Sequence, residues 1–270
     1  MRPLILAFQF LTIIPLKVSG GLSERALSRS AAFFPVVGAF QGLLAAVIAR
    51  LSLTTLSGDI ASALTISALV LCNGGFHLDG LADTFDALAV KSRGDERVDR
   101  QMRLAVMKDS TTGAIGVVSI VLVILLKFVF IGELLIKASL NAASSFLFLM
   151  PVFSKWIMVP SLYIGTSARQ DGLGKAFMDS VTLSTVAYAS LSLILFCAMA
   201  ASLHLYKIFG AATLALFFSL CAIFLVFSFM TVRLCTKRFG GLTGDMFGAI
   251  NEISEILFLF VVVLWLQRSI

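Results

Sequence analysis

The stretch GAIGVVSIVLVILLKFVFI (residues 113–131) is almost continuously apolar, and Lys127 is its one charged residue. A helix needs about 20 apolar residues to cross a hydrocarbon core about 30 Å thick, so this stretch is predicted to span a membrane. The whole 270-residue chain has the same character, since 59% of its residues are hydrophobic and only 13% are charged. Soluble domains have about 45–50% apolar and about 25% charged residues. Lipid is therefore the expected solvent for much of this chain.

Further apolar runs on both sides of this stretch, separated by charged residues, are predicted to be membrane spans as well. The seven predicted spans are residues 31–49, 60–75, 113–131, 139–159, 181–203, 208–230 and 249–266. The apolar run that ends at Leu16 carries Gln9 and is bounded by Pro3 and Pro15, so we expect a retained segment in the membrane interface. The predicted fold is an all-α, polytopic bundle of about six to seven transmembrane helices, with residues 1–270 forming a single membrane-embedded domain.

The basic residues indicate the orientation of these spans, because Lys and Arg collect in the cytoplasmic loops of membrane proteins. With the N-terminus inside, the outside segments hold only Arg50, Lys137, Lys207 and Arg268. The formal net charge of +6 then reflects membrane topology and not nucleic-acid binding. The same orientation places the polar, glycine-rich segments 74–112, 165–180 and 233–248 on the cytoplasmic face. We therefore expect the chemistry on that face, with a cytoplasmic substrate.

Three carboxylates occur close together in GGFHLDGLADTFD (residues 74–86), namely Asp79, Asp83 and Asp86. Their spacing of i, i+4 and i+7 places them within an arc of about 60° on one helix face. Carboxylates so close together repel one another, and a bound Mg²⁺ would relieve that repulsion. The pattern predicts a metal site, with a solvated acidic patch as the alternative. His77 is a ligand, a general base or a hydrogen-bond partner, although a helix would turn it away from the aspartates.

A second polar run, RFGGLTGD (residues 238–245), precedes the last apolar segment. Glycines before a helix let backbone N–H groups approach an anion, and a helix N-terminus favours negative charge. Asp245, Gly248, Glu252 and Glu255 then share one helix face, and Gly248 would leave room for a ligand against the helix. The run predicts contact with substrate or metal, and a capped loop is the alternative.

Two other predicted cytoplasmic segments carry residues suited to phosphate. In MKDSTTG (residues 107–113), Lys108 can neutralise a phosphate, and Asp109 can either join a metal shell or cap the next helix. In RQDGLGK (residues 169–175), Arg169 begins a loop that is either a lid over phosphates or an ordinary connection. Together the acids and bases favour a metal-assisted phosphoryl-group transferase, in which a carboxylate accepts the proton of an attacking hydroxyl.

These motifs resemble those of the cobalamin synthase family, also called adenosylcobinamide-GDP ribazoletransferases. The resemblance is carried by GGFHLDGLADTFDAL (74–88), MKDSTTGAIGV (107–117) and RFGGLTGDMFGAINEISE (238–255). It is extended by FLTIIPL (10–16), SKW (154–156) and DGLGKAF (171–177). Two lysines depart from it, since Lys155 stands where the family is expected to have arginine and Lys108 where some members have it. Both keep the charge but lose the planar guanidinium.

The resemblance implies an Mg²⁺-dependent enzyme of the bacterial inner membrane, with its N-terminus and active site cytoplasmic. Such an enzyme joins adenosylcobinamide-GDP to α-ribazole, or to its 5′-phosphate, and releases GMP. The implied metal ligands are Asp79, Asp83, Asp86, Asp245 and Glu252. The implied catalytic residues are Asp83, Asp86, His77 and Asp245. The implied substrate contacts are Arg103, Lys108, Asp109, Arg169, Arg238, Gly240, Gly241 and Thr243.

As partners we expect the two substrates and the lipid bilayer, no nucleic acid, and either a homo-oligomer or a complex with the other nucleotide-loop enzymes. Two alternative functions are weighed against this interpretation. A CDP-alcohol phosphatidyltransferase has the pattern DGxxAR followed by GxxxDxxxD, whereas here Asp83 stands in place of the alanine and no such second motif follows. An ion-coupled transporter uses acids near the membrane midplane and broken helices, whereas these acids cluster at one face and no internal repeat is visible.

Overall fold

The computed structural model describes residues 2–16 and 23–269, and this part of the chain is almost entirely helical. The helices are α1 (Arg2–Leu11), α2 (Glu24–Ala31), α3 (Phe34–Ser52), α4 (Gly58–Asn73), α5 (Phe76–Leu88), α6 (Glu96–Val106), α7 (Ala114–Lys137), α8 (Leu140–Ile164), α9 (Leu173–Ser180), α10 (Leu183–Ala200), α11 (Tyr206–Phe209), α12 (Ala212–Phe239) and α13 (Gly244–Ser269). A π-helical turn, Ala201–Leu205, joins α10 to α11.

Six of the described segments are long and apolar enough to cross a membrane, which confirms the predicted polytopic helix bundle. They are α3, α7, α8, the continuous segment Leu183–Phe209, α12 and α13. Helices α4 and α5 are long and apolar enough only when they are taken together, and the chain bends by 87° between them. The predicted span 60–75 is therefore α4, and α5 turns away almost at a right angle to it. With its ten residues, α1 is too short to span the membrane.

Two glycines produce the sharp bend between α4 and α5. Gly74 and Gly75 have φ angles of +64° and +75°, a left-handed conformation that costs glycine little. The backbone N–H groups of both glycines donate to carbonyls of the last turn of α4, and the Asn73 side chain also accepts from Gly75. The chain thus leaves α4 with its terminal carbonyls satisfied, and α5 lies across the end of the bundle.

Helix α8 is the centre of the bundle, and 89% of its most apolar 18-residue stretch is buried inside the protein. It packs directly on α3, where a Cβ on Gly38 would lie 2.4 Å from the Pro151 carbonyl oxygen. Small residues allow such close helix contacts inside membranes. The polar residues Ser154 and Lys155, which lie within the predicted span 139–159, are fully buried. A central helix tolerates them because it faces other helices on nearly all sides.

The segments predicted to carry the chemistry meet at one end of the bundle. The connection after α8 pairs with the turn before α13, since Ala168 donates to the Leu242 carbonyl at 2.8 Å and Leu242 donates to the Thr166 carbonyl at 2.7 Å. Helix α5 and the start of α7 lie at the same end, joined through Asp86 and Gly113. The grouping of these segments is thus observed, whereas the side of the membrane they face stays a prediction.

Candidate active site

A cleft of about 450 Å³ opens at this end of the bundle, between α5, the start of α13 and the connection from α8 to α9. Its polar lining includes Asn73, His77, Asp79, Ser167, Arg169, Asp171, Lys175, Thr243 and Asp245. Its apolar lining includes Phe10, Leu11, Phe76, Met158, Leu173 and Phe247. Carboxylates, bases and apolar surface therefore face one space that is large enough for a drug-sized ligand.

The crossing of α5 and α13 that forms this cleft depends on two glycines. A Cβ on Gly80 would lie 2.4 Å from the Asp245 carbonyl oxygen, and one on Gly248 would lie 2.9 Å from the His77 carbonyl oxygen. Gly248 therefore allows the backbone of α5 to approach, and it also lines the cleft, so its predicted contact with a ligand stays a prediction. The contact brings Asp79 and Asp83 on one helix close to Asp245 on the other.

The electrostatics of the cluster are dominated by carboxylates. Burial, followed by the negative charges of Asp79, Asp245 and Asp86, raises the pKa of Asp83 to about 6, and Arg169 opposes this only in part. Among the residues that the structure describes, no three His, Cys, Asp or Glu side chains are already arranged to hold a metal ion. The metal site therefore stays a prediction, while the accumulation of negative charge beside the cleft is observed.

Asp86 has a structural task that its sequence position did not reveal. Its carboxylate accepts hydrogen bonds from the backbone N–H groups of Gly113 and Gly116 at 2.7 and 2.8 Å. These N–H groups, at the start of α7, have no partner within their own helix, so Asp86 caps α7 from the neighbouring helix α5. The alternative in which Asp109 caps this helix is wrong, because Asp109 closes its own turn by accepting from the N–H and hydroxyl of Thr111. These hydrogen bonds lower the pKa of Asp109.

Arg169, His77 and Thr243 are three predicted site residues that do lie at the cleft. The Arg169 guanidinium is 3.0 Å from the Asp245 carboxylate, which also accepts from the Thr243 hydroxyl at 3.4 Å. His77 is buried on the cleft wall beside Asn73, with 3.3 Å between its Nδ1 and the Asn73 amide nitrogen. Arg169 and Asp245 remain partly exposed, so both can exchange partners when a ligand enters.

Other predicted substrate contacts lie away from the cleft. Arg103 is buried, and its guanidinium donates to the Arg238 carbonyl at 2.9 Å and lies 3.9 Å from Asp99. Arg103 and Arg238 line a separate pocket of about 170 Å³. Gly241 packs against the loop after α8, where a Cβ would be 2.4 Å from the Thr166 carbonyl oxygen. Gly240, with φ +84°, ends α12. These residues shape the end of the bundle, and Lys108 is exposed near it.

Glu252 lies in a buried ion cluster and not beside the aspartates. The Lys127 ammonium contacts the carboxylates of Glu252 and Glu255 at 2.6 Å each. Lys155 donates to the Asn251 side-chain oxygen at 2.5 Å and lies 3.9 Å from Glu255. The two lysines and two glutamates balance in charge, and all four are buried. The Glu252 carboxylate, which the family resemblance implied as a metal ligand, is therefore paired with the Lys127 ammonium in this structure.

The sequence interpretation missed this ion cluster, although a signal for it was present. Acids and bases inside membrane-spanning helices are expensive and almost always face the bundle interior, often pairing with one another. Lys127 and Lys155 were the two bases inside predicted spans, and Glu252 and Glu255 the two acids of the last one. The equal numbers of opposite charges could have suggested direct pairing between helices.

Comparison with known proteins gives one consistent result. The family model described as cobalamin-5-phosphate synthase matches residues 3–263. The chain is similar to an adenosylcobinamide-GDP ribazoletransferase of Thermodesulfovibrio yellowstonii, at 36% identity over 94% of this chain and 93% of the relative. Proteins of the same name from Geotalea daltonii and Pseudomonas syringae pv. syringae are 36% and 37% identical, over 97% and 98% of this chain and 97% and 100% of the relatives. No solved structure matches the chain.

Proposed function

Because the chain belongs to the cobalamin-5-phosphate synthase family and is thereby an enzyme of cobalamin synthesis, we propose that its cleft joins adenosylcobinamide-GDP to α-ribazole or to α-ribazole 5′-phosphate. In the proposed reaction a ribose hydroxyl attacks the phosphorus that is attached to cobinamide. A new P–O bond to the ribose forms, the P–O bond within the diphosphate breaks, and GMP leaves. The observation that carries the proposal is that Asp79, Asp245 and Arg169 line one cleft. Asp83 lies close enough to all three for their charges to act on its pKa.

The carboxylate cluster suits a divalent cation such as Mg²⁺. The fit rests on charge. Burial, followed by the negative charges of neighbouring carboxylates, raises the pKa of Asp83 to about 6, and a cation would relieve the repulsion between those carboxylates. Mg²⁺ needs only one or two carboxylates beside waters and substrate phosphates. We propose Asp79, Asp83 and Asp245 as the residues that hold it, while Asp86 caps α7 and Glu252 pairs with Lys127. When bound, the ion would neutralise negative charge on the diphosphate.

The chain's own residues would bind the phosphates and accept the proton. Arg169 can move from Asp245 to a phosphate, since the pair is partly exposed and a guanidinium binds phosphate with two parallel hydrogen bonds. Lys175, in the first turn of α9, also lines the cleft and adds a second cation, which in this structure pairs with the exposed Asp179. A carboxylate of the cluster accepts the proton of the attacking hydroxyl. The rings of Phe10, Phe76 and Phe247 provide apolar surface for a planar base.

The orientation and setting of the enzyme are part of the same proposal. We place the cleft on the cytoplasmic side of a bacterial inner membrane, because basic residues are concentrated in the segments at that end. A homo-oligomer or a complex with other enzymes of the nucleotide loop would be stable in the membrane. Purification in a mild detergent as a monomer, with none of those enzymes bound, would contradict this part of the proposal.

The proposed function is tested by turnover of the detergent-purified protein with adenosylcobinamide-GDP, α-ribazole and Mg²⁺, following GMP and the cobalamin product together. Both products should form in equal amounts and disappear with EDTA. Asp83→Asn should abolish turnover, because it removes a charge from the proposed ion site. The matched control is Asp59→Asn, an exposed acid at the opposite end of the bundle. Full turnover of Asp83→Asn with unchanged Mg²⁺ dependence would remove the metal role of Asp83. No products from folded wild-type protein would contradict the proposed function, and CDP-linked donors would then be tried.

A further inference from the structure

A second groove, of about 430 Å³, lies outside the candidate active site. It is formed by the last turns of α12, the end of α8 and the side of α6. Its lining combines three cations, Arg100, Arg233 and Lys237, with apolar side chains, and none of the described residues that line it is acidic. The groove therefore offers both positive charge and apolar surface, which a soluble anion does not need together.

The order of these residues along α12 follows the depth of a lipid molecule. Phe229, Arg233 and Lys237 are spaced by four residues, so they share one helix face and are separated by about 6 Å along the axis. All three are exposed, and Phe229 is 57% exposed. The face changes from apolar to cationic towards the C-terminal end of α12. An acyl chain followed by an anionic headgroup has the same order.

The other two helices of the groove add one apolar residue and one cation. Ile164, at the end of α8, is 45% exposed and adds apolar surface. Arg100 on α6 contributes the third cation, and it pairs with the exposed Glu96 at 3.2 Å. Surface pairs of this kind contribute little energy, so Arg100 can turn to a stronger anion. Residues of three helices thus line one groove, in which a phosphate would meet several positive side chains.

We propose that this groove binds one anionic phospholipid, with its headgroup phosphate between Arg233, Lys237 and Arg100 and an acyl chain along Phe229 and Ile164. Basic pockets between transmembrane helices bind anionic headgroups because the charges lie at the level of the membrane surface. This site is separate from the cleft that carries the proposed reaction, and the proposal does not depend on that reaction. The bound lipid would hold α6 against α12.

The proposal is tested by native mass spectrometry of the purified protein titrated with phosphatidylglycerol and, separately, with phosphatidylcholine of the same chains. Phosphatidylglycerol should bind at one molecule per protein, with higher affinity than phosphatidylcholine. A basic residue near an anionic surface contributes about a factor of five, so Arg233→Gln with Lys237→Gln should weaken phosphatidylglycerol binding about 25-fold. Each single variant should weaken it about fivefold, and these variants serve if the double variant does not fold.

The matched control is Arg50→Gln with Lys207→Gln, which removes two exposed cations at the other end of the bundle. It should leave the affinity of this site unchanged. Equal affinity for the two lipids, or the same loss in the control, would overturn the proposal. Competition by GMP or inorganic phosphate at millimolar concentration would also overturn it, since the groove would then be a site for a free phosphate. Phe229→Ser should weaken long-chain lipid binding and leave dihexanoyl phosphatidylglycerol binding unchanged.

Discussion

Replacing Lys127 with methionine should destabilise the protein strongly, because this lysine neutralises two buried carboxylates. Its ammonium lies 2.6 Å from both Glu252 and Glu255, and all three side chains are buried. Without it, the two glutamates share only Lys155, and one negative charge is left without compensation inside the bundle. Removing one partner of a buried ion pair costs about 3–5 kcal/mol.

The change is measured by thermal unfolding in detergent, where a loss of that size lowers the midpoint by about 6–20 °C for a protein of this length. The matched control is Lys137→Met, on the same helix α7. Lys137 pairs with Glu133 at 2.9 Å, but both side chains are at least 30% exposed. Since an exposed pair contributes about 0–1 kcal/mol, this control should shift the midpoint by no more than a few degrees.

A compensating variant separates charge balance from loss of packing. Lys127→Met combined with Glu252→Gln leaves Glu255 with Lys155, Asn251 and Ser154, at 3.9, 3.2 and 3.3 Å. Because the remaining charges balance, the double variant should recover about half or more of the lost stability. The reasoning would be refuted if Lys127→Met melted like Lys137→Met, or if the double variant were no more stable than the single one.

Three further predictions concern the site. Gly80→Ala should reduce turnover at least tenfold and destabilise the protein by about 1–3 kcal/mol, since its Cβ would meet the α13 backbone at 2.4 Å. In the same turnover and melting assays, the control Gly58→Ala should have neither effect, because the space around Gly58 is open. Asp86→Ala should lower stability by about 1–2 kcal/mol through loss of the α7 cap, and hydrogen exchange should increase at the start of α7 but not in α12. Because the pKa of Asp83 is raised to about 6, protons should compete with Mg²⁺ for this carboxylate below about pH 6. The Mg²⁺ affinity of the wild type, measured by calorimetry, should therefore fall below that pH. The affinity of Asp83→Asn should depend less on pH.

The membrane fold could be predicted from the sequence because its signal is local. Apolar runs such as residues 113–131 are long enough to span a bilayer wherever they pack, and the predicted spans correspond to α3, α4, α7, α8, α10, α12 and α13. The aspartates of α5 could be grouped for the same reason, since helical periodicity alone places them on one face. Their proximity to Asp245 was implied by the family resemblance and not by spacing.

The contacts that could not be predicted involve residues whose environment is set by distant parts of the chain. Asp86 follows the acidic pattern of its helix, yet its carboxylate caps a helix that begins almost thirty residues later. Gly248 suggests space for a ligand, and it also allows the backbone of α5 to cross at that point. Arg103 suggests phosphate binding, yet its guanidinium is used by the Arg238 carbonyl. In each case a partner far away in sequence decides what the side chain binds.

The sequence by itself determined that this chain is a helical membrane protein, which motifs it shares with its family and to which family it belongs, because length, hydropathy and motif identity are properties of contiguous residues. Only the tertiary structure decided which of those residues share a cleft. It placed Arg169 with Asp245 and it placed Glu252 with Lys127 in the bundle interior. The physical reason is that close packing and charge neutralisation in a low-dielectric interior act between side chains regardless of their separation along the chain.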